Sequence, residues 1–273
     1  MRVTLFLLVL FCVSIISRQD LQAAFEFKGH GSNYMAGGSG GIASADVSFS
    51  LFNNPAKLSL PNRAGIELFY RNYFGLSDWN QISLANQFRL YGIPLGLGIS
   101  RYGNKIYAET EIRLGMAYHP GQNVHLGLTL NLYHLAIENY GNATGFGLDL
   151  AAYYELTPAV SMAFVVSNIN EPRLGQSRER VPVLLAAGLS YKVLSEAQLS
   201  FDIVKEEQHP FDYRFGIRYY LKPWLSVISG FRDAVNTLSS GFSLGESDWQ
   251  LGYAFLYHAA LGGSHSLSVA YAF

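Results

Sequence analysis

Residues 124–133 read VHLGLTLNLY, and their two-residue period decides the fold. The even positions, Val124, Leu126, Leu128, Leu130 and Leu132, are all apolar, while the odd ones carry His125, Gly127, Thr129, Asn131 and Tyr133. Successive side chains of a strand point to opposite faces of its sheet, so this is a strand with one apolar and one mixed face. Residues 211–220 repeat the pattern, with Phe211, Tyr213, Phe215, Ile217 and Tyr219 against Asp212, Arg214, Gly216, Arg218 and Tyr220. Residues 249–258 do so again, with Trp249, Leu251, Tyr253, Phe255 and Tyr257 opposite Gln250, Gly252, Ala254, Leu256 and His258.

Working outward, the same template predicts fourteen strands, near residues 63–73, 79–91, 94–102, 106–118, 123–136, 143–156, 159–168, 182–193, 196–206, 210–221, 224–232, 237–244, 248–258 and 263–273. Most have the length a tilted strand needs to cross a bilayer, about 9–11 residues. Short turns are expected at Gly92-Ile93, Pro120-Gly121, Thr157-Pro158, Leu194-Ser195, Lys222-Pro223 and Gly245-Glu246. The alternate connections are longer on average, above all 169–181 (INEPRLGQSRERV), then 206–210 and 259–263, though Gly103-Asn104 is short. Even strand number, short turns at one end and longer loops at the other characterise bacterial outer-membrane barrels. A glycine followed by alternation recurs in RLGMAYHP (113–120), HLGLTLNLY (125–133), AGLSYKV (187–193), FGIRYYL (215–221) and LGYAFLY (251–257). It reads as one hairpin pattern reused, with glycine easing close approach on the inner face.

Composition separates a membrane barrel from a soluble sandwich. Of the 273 residues 49% are hydrophobic and only 14% charged, against about 25% charged in an ordinary soluble domain. Nineteen Lys and Arg against 20 Asp and Glu leave a net charge of −1, so no bulk attraction to nucleic acid is implied. After residue 17 no apolar run is long enough for a spanning helix. Aromatic residues cluster near strand ends, at Tyr70, Tyr73, Trp79, Tyr91, Tyr118, Tyr153, Tyr154, Tyr219, Trp224, Trp249 and Tyr257, where an interfacial girdle would lie. Closure removes the sheet edges that lipid cannot satisfy. The expected fold is therefore all-β, a closed antiparallel transmembrane β-barrel of about 14 strands over residues 63–273. Its outer face would meet the lipid of a Gram-negative outer membrane. The last strand puts Leu267, Val269, Tyr271 and Phe273 on one face. That ending resembles the assembly signal of outer-membrane barrels, which makes the barrel assembly machinery an expected partner at Phe273.

The N-terminus reads as an export signal over residues 1–24. Arg2 precedes an apolar core, VTLFLLVLFCVSIIS (3–17), then RQDLQ and the small pair Ala23-Ala24; cleavage after either alanine fits the template. Cys12 would leave with the signal, so the mature chain is no disulfide scaffold. Residues 31–60 read GSNYMAGGSGGIASADVSFSLFNNPAKLSL. Their Gly, Ala and Ser content permits tight backbone packing, and Asn54-Pro55-Ala56 marks a turn or helix start. Residues 25–62 are thus either a loose lead-in or a plug folded into the lumen.

The segment GGSGGIASADVSFSLFNNPAKLS (37–59) is similar to the N-terminal motif of the long-chain fatty-acid outer-membrane transporter superfamily (FadL-like). A related segment occurs in the PorV/PorQ-like barrels of type IX secretion. The matching positions are Gly37, Gly38, Gly40, Gly41, Ala43, Ala45, Asn54, Pro55, Ala56 and Leu58. The resemblance implies a hatch over 25–62 inside a 14-stranded barrel, and passive transport of small hydrophobic molecules by rearrangement of that hatch. It also implies an alternative, a non-transporting interaction barrel holding secretion-system proteins. This chain is shorter than typical members, and its outer loops are too brief for a large substrate-capturing surface.

The inner face is predicted to carry Glu67, Arg71, Arg89, Glu109, Glu111, Arg113, Asp149, Asp202, Arg214 and Arg218. Mixed signs at this density suggest paired charges bracing the lumen against the hatch. Glu109, Glu111 and Arg113 alternate on one strand and share a face. His30, His119, His125, His134, His209, His258 and His265 show no HxxxH or HxH spacing for a metal. No nucleophile elbow, P-loop or dinucleotide fingerprint appears. A pair such as Ser239 with His258 is of a kind any barrel supplies. Neither an enzyme nor a cofactor is expected.

Overall fold

The computed structural model describes residues 24–273 except 45, 48, 176–178 and 208. The export signal therefore lies outside the described residues, apart from Ala24. Seven strands come first: β1 (Gly65–Asn72), β2 (Asn80–Leu90), β3 (Ile93–Gly103), β4 (Tyr107–Gly121), β5 (Val124–Ile137), β6 (Gly141–Thr157) and β7 (Val160–Ser167). A short hairpin follows, β8 (Arg173–Leu174) with β9 (Glu179–Arg180). The remaining strands are β10 (Leu184–Lys192), β11 (Ala197–Glu206), β12 (Asp212–Lys222), β13 (Leu225–Arg232), β14 (Thr237–Glu246), β15 (Trp249–His258) and β16 (Gly262–Ala272).

All strands but β8 and β9 form one closed barrel of fourteen antiparallel strands. The seam pairs first with last, Gly65 opposite Ala272 through Asn72 opposite His265. β7 pairs directly with β10, so the β8–β9 hairpin belongs to the connection between them. That corrects the reading of 169–181 as a plain loop; two residues per strand carry no periodicity to detect. The short turns occupy the expected end. Between β2 and β3, Tyr91 and Gly92 both take positive φ, 49° and 80°, the geometry of a two-residue turn that matches strand twist.

The alternation is inverted relative to a soluble domain. On β5, His125, Gly127, Thr129, Asn131 and Tyr133 are buried, whereas Leu126 and Leu130 are exposed. Around the barrel, Leu97, Leu114, Leu130, Phe146, Phe164 and Leu267 are 50–70% exposed. An apolar belt of this extent does not occur on an ordinary soluble monomer. Tyr91, Tyr118, Trp224, Trp249 and Tyr257 sit exposed near strand ends. Tyr73 and Tyr153 do not join them. Strand parity turns both inward, where Tyr73 donates to Gln81 Oε1 at 2.8 Å and Tyr153 packs beside His125.

The apolar core is supplied by the N-terminal segment lying inside the barrel. It contains α1 (Ser32–Ala36), α2 (Ser50–Asn53) and a 3₁₀ turn at Pro55–Ser59. Met35, Ala36, Ile42, Ala43, Phe49, Leu51, Phe52, Ala56 and Leu58 are almost fully buried against inward residues of the wall.

Candidate functional site

Three features of the sequence let this segment fit. Glycines on the inner wall leave room for its backbone: a Cβ at Gly127 would lie 2.3 Å from the Ala56 nitrogen, and one at Gly230 would lie 2.1 Å from the Gly38 nitrogen. Asn54, fully buried, caps the 3₁₀ turn by accepting from the Ala56 N–H at 3.1 Å, and its amide donates to the Ile42 carbonyl at 2.9 Å. Pro55 at the start of that turn has no N–H to leave unpaired. Gly37, Gly38, Gly40 and Gly41 form the bend that touches β11–β14. Gly38 donates to Ser239 Oγ, which itself donates to the Ala36 carbonyl. Ala45 lies outside the described residues.

The charged residues of the inner face hold this segment mainly through its backbone. Asp202 accepts from the Gly41 and Ile42 N–H groups at 2.6 and 3.1 Å, and Arg214 donates to the Ser39 carbonyl at 2.6 Å. Glu67 accepts from the Phe49 N–H, and Arg218 pairs with Asp46. Arg71 donates to the Lys28 carbonyl at 3.4 Å, Arg89 to the Ser59 and Pro61 carbonyls at 3.0 and 3.1 Å, and Arg113 to the Phe52 carbonyl at 3.1 Å. Glu109 pairs with Lys28 at 2.6 Å. Glu111 and Asp149 touch Arg113 instead, at 2.8 and 3.2 Å. The contact to Asp149 is an ion pair without hydrogen-bond alignment, since that oxygen, Oδ2, has no hydrogen-bond partner. The ten residues thus form several separate braces spread along the lumen, with Arg113 the centre of one.

Burial sets the charge state of the segment's own groups. Lys57, enclosed and donating to the Ser44 and Asp46 carbonyls, is lowered to about 8 by desolvation, with Asp46 and Asp202 opposing. Burial pulls Lys28 down as well, but its pairing with Glu109 outweighs that and the net direction is up. His30 is held well below its ordinary value by burial, then by Arg113, Lys28 and Arg71. It is therefore neutral, stacked on Phe52 at 4.1 Å.

Two small cavities in the lumen are lined by described residues. A cavity of about 40 Å³ with a mixed lining lies near the long-loop mouth among Phe25, Lys28, His30, Tyr102 and Tyr133. Another, of about 100 Å³, lies near the short-turn end among Tyr153, Glu155, Ser161 and Lys192. A dry apolar cavity of about 150 Å³ binds benzene, and both of these are smaller. A groove of about 600 Å³ lies on the outer wall, lined by Leu189, Leu199, Phe201, Phe215, Ile217 and Leu238. Among the described residues no group of three or more His, Cys, Asp or Glu side chains could hold a metal ion. Ser239 and His258 form no pair, being engaged respectively with the N-terminal segment and with the Ala260 and Leu261 N–H groups.

No protein-family model matches the sequence, and no curated protein matches it. Solved structures do resemble it. TodX, a toluene transporter of Pseudomonas putida, superposes with a TM-score of 0.69 at 12% identity, over 92% of this chain and 99% of that one. CymD, a monoaromatic hydrocarbon channel, gives 0.68 at 14% identity over 92% and 99%. A Pseudomonas aeruginosa FadL homologue gives 0.63 at 10% identity over 89% and 98%. This chain has the fold of the FadL-type hydrocarbon channels. At such identities the likeness is one of fold.

Several participants in the site carry no charge pattern that singles them out. Ser239 and Gln81, which bond the backbone of the segment, look like ordinary inward polar residues. Asp212, which pairs with both Arg214 and Arg232, was placed on its face by strand parity but not as a partner. The available signal was glycine. Gly98, Gly115, Gly127, Gly188, Gly216, Gly230 and Gly252 all sit where a Cβ would strike the segment or the side chains beside it.

Proposed function

We propose that this chain is an outer-membrane barrel that passes small hydrophobic molecules down their gradient, with residues 25–62 acting as a movable hatch. The observation that carries this reading is the way the lumen is filled. The segment is attached to the wall by hydrogen bonds and ion pairs at many separate points, within a fold shared with hydrocarbon channels. Such contacts can be exchanged for water one at a time, whereas a barrel wall cannot part without exposing unpaired backbone. The lumen cavities lined by described residues, about 40 and 100 Å³, are smaller than the roughly 150 Å³ cavity that takes benzene, which favours passage by a shift of the segment. The apolar outer belt supports a barrel set in lipid, whose short-turn end would face the periplasm. No observation favours the secretion-associated alternative.

The test is uptake of labelled toluene and labelled oleate by cells that carry the protein, lack it, or carry a deletion of residues 54–58. Uptake should fall on removal of the protein and change on deletion of the turn that seats the hatch. Unchanged uptake of both probes on removing the whole protein would end the transport reading.

A further inference from the structure

The geometry points to hydrolysis of the Ala23–Ala24 peptide bond by a processing peptidase, in which water gives Ala23 its departing carboxylate and Ala24 a free amine, captured as an α-ammonium by the carboxylate of Glu179 on the β8–β9 hairpin. This rests on the export reading above. Two positions for the cut fit the sequence, and the structure distinguishes them. Ala24 is 5% exposed and belongs to a cluster with Tyr133, Leu135, Leu174 and Val181. Its nitrogen lies 3.0 Å from Glu179 Oε1. Phe25 adopts φ 65°, a left-handed conformation, and packs its ring on Tyr133 at 4.7 Å. A bulky residue takes that conformation only when its surroundings impose it. The bend aims the Ala24 nitrogen at the hairpin.

A cut after Ala24 would discard a buried methyl group and strip Glu179 of this donor. A cut before Ala24 keeps both and turns a neutral N–H donor into a cation facing a carboxylate, a shorter and stronger contact. Glu179 is suited to receive it, because among the described residues the ion pairs of this hairpin run through Arg180, to Glu171 and Glu207. The mature N-terminus would then be tied to the β8–β9 hairpin.

The protein should be purified from the outer-membrane fraction and its intact mass measured. The expected mass is that of residues 24–273; any other N-terminus in that fraction overturns the inference while leaving the barrel reading intact. Absence from the outer membrane would overturn both. The capture is read by amine labelling near neutral pH, in wild type and in Glu179→Gln. An adjacent carboxylate should hold the terminal amine protonated, so wild type should label about tenfold more slowly than the variant. Equal rates, with both proteins equally resistant to unfolding in mild detergent on heating, would overturn the capture.

Discussion

Gly38 and Gly230 meet on the inner surface of the wall so closely that a methyl group added to Gly230 would sit 2.1 Å from the Gly38 nitrogen. Gly230 is directly paired with Gly216 on β12, and a Cβ there would reach the Gly37 carbonyl at 2.9 Å. The bend of the N-terminal segment thus rests on bare strand backbone, and the Gly38 N–H reaches Ser239 from that position.

Gly230→Leu should therefore push the bend off the wall. The obstructing atoms are backbone, which cannot swing aside as a side chain does. Overpacking costs about 1–3 kcal/mol, to be seen as a lower urea midpoint in detergent together with faster entry of a hydrophobic dye into proteoliposomes. If midpoint and dye entry both matched wild type, the bend would not depend on this contact.

Arg113 stands between Glu111 and Asp149 and donates to the Phe52 carbonyl. Arg113→Ala leaves buried Asp149 and half-buried Glu111 without their cation, a loss of about 3–5 kcal/mol for a broken buried pair. Adding Glu111→Gln and Asp149→Asn should recover much of that loss, because neutral amides need no counter-charge. Equilibrium unfolding of the single and triple variants checks this. A single variant as stable as wild type would show that water already compensates these charges.

The barrel was legible because each strand has two chemically different faces, as 124–133 shows at once. The same period sets Glu67, Asp202 and Arg214 on the inward face, where they lie buried. Parity also explains the misplacement of Tyr73 and Tyr153. Both are aromatic and near strand ends, but their positions in the two-residue period face inward. What each inward charge grips could not be read, since Asp202 and Arg214 bond main-chain groups of residues 160 or more positions away. Main-chain groups are the same at every residue and leave no mark in the sequence; the glycines that admit them do.

Lys57 gives the site a pH dependence of definite sign. It is lowered to about 8 inside the barrel against 10.5 for a free lysine. Below pH 8 it is charged in both folded and unfolded chains, and the burial penalty is fully present. Between pH 8 and 10.5 only the unfolded chain holds the proton, so stability rises with pH across that window, by about 3 kcal/mol in all. Asp46, Asp202, Arg218 and Glu67 face the same group and set the size of the effect. Lys57→Met should abolish this rise. Unfolding free energies of both proteins at several points from pH 7.5 to 10.5 isolate it from other titrating groups, and parallel curves would remove Lys57 as the cause.

Phe273 offers a test that tells assembly apart from the finished fold. Its side chain is 58% exposed and lies 6.1 Å from the Tyr271 ring, while its N–H donates to the Ala64 carbonyl at 2.9 Å. Deleting it removes one hydrogen bond at the seam and little packing, about 1 kcal/mol. Refolding of the purified chain into detergent micelles should therefore proceed almost as before. If the terminal aromatic is also what the assembly machinery reads, the amount reaching the outer membrane of growing cells should fall several-fold. Comparing refolding yield with the membrane level of the same truncated chain checks both halves. Undiminished levels in cells would show that Phe273 is a seam residue and nothing more.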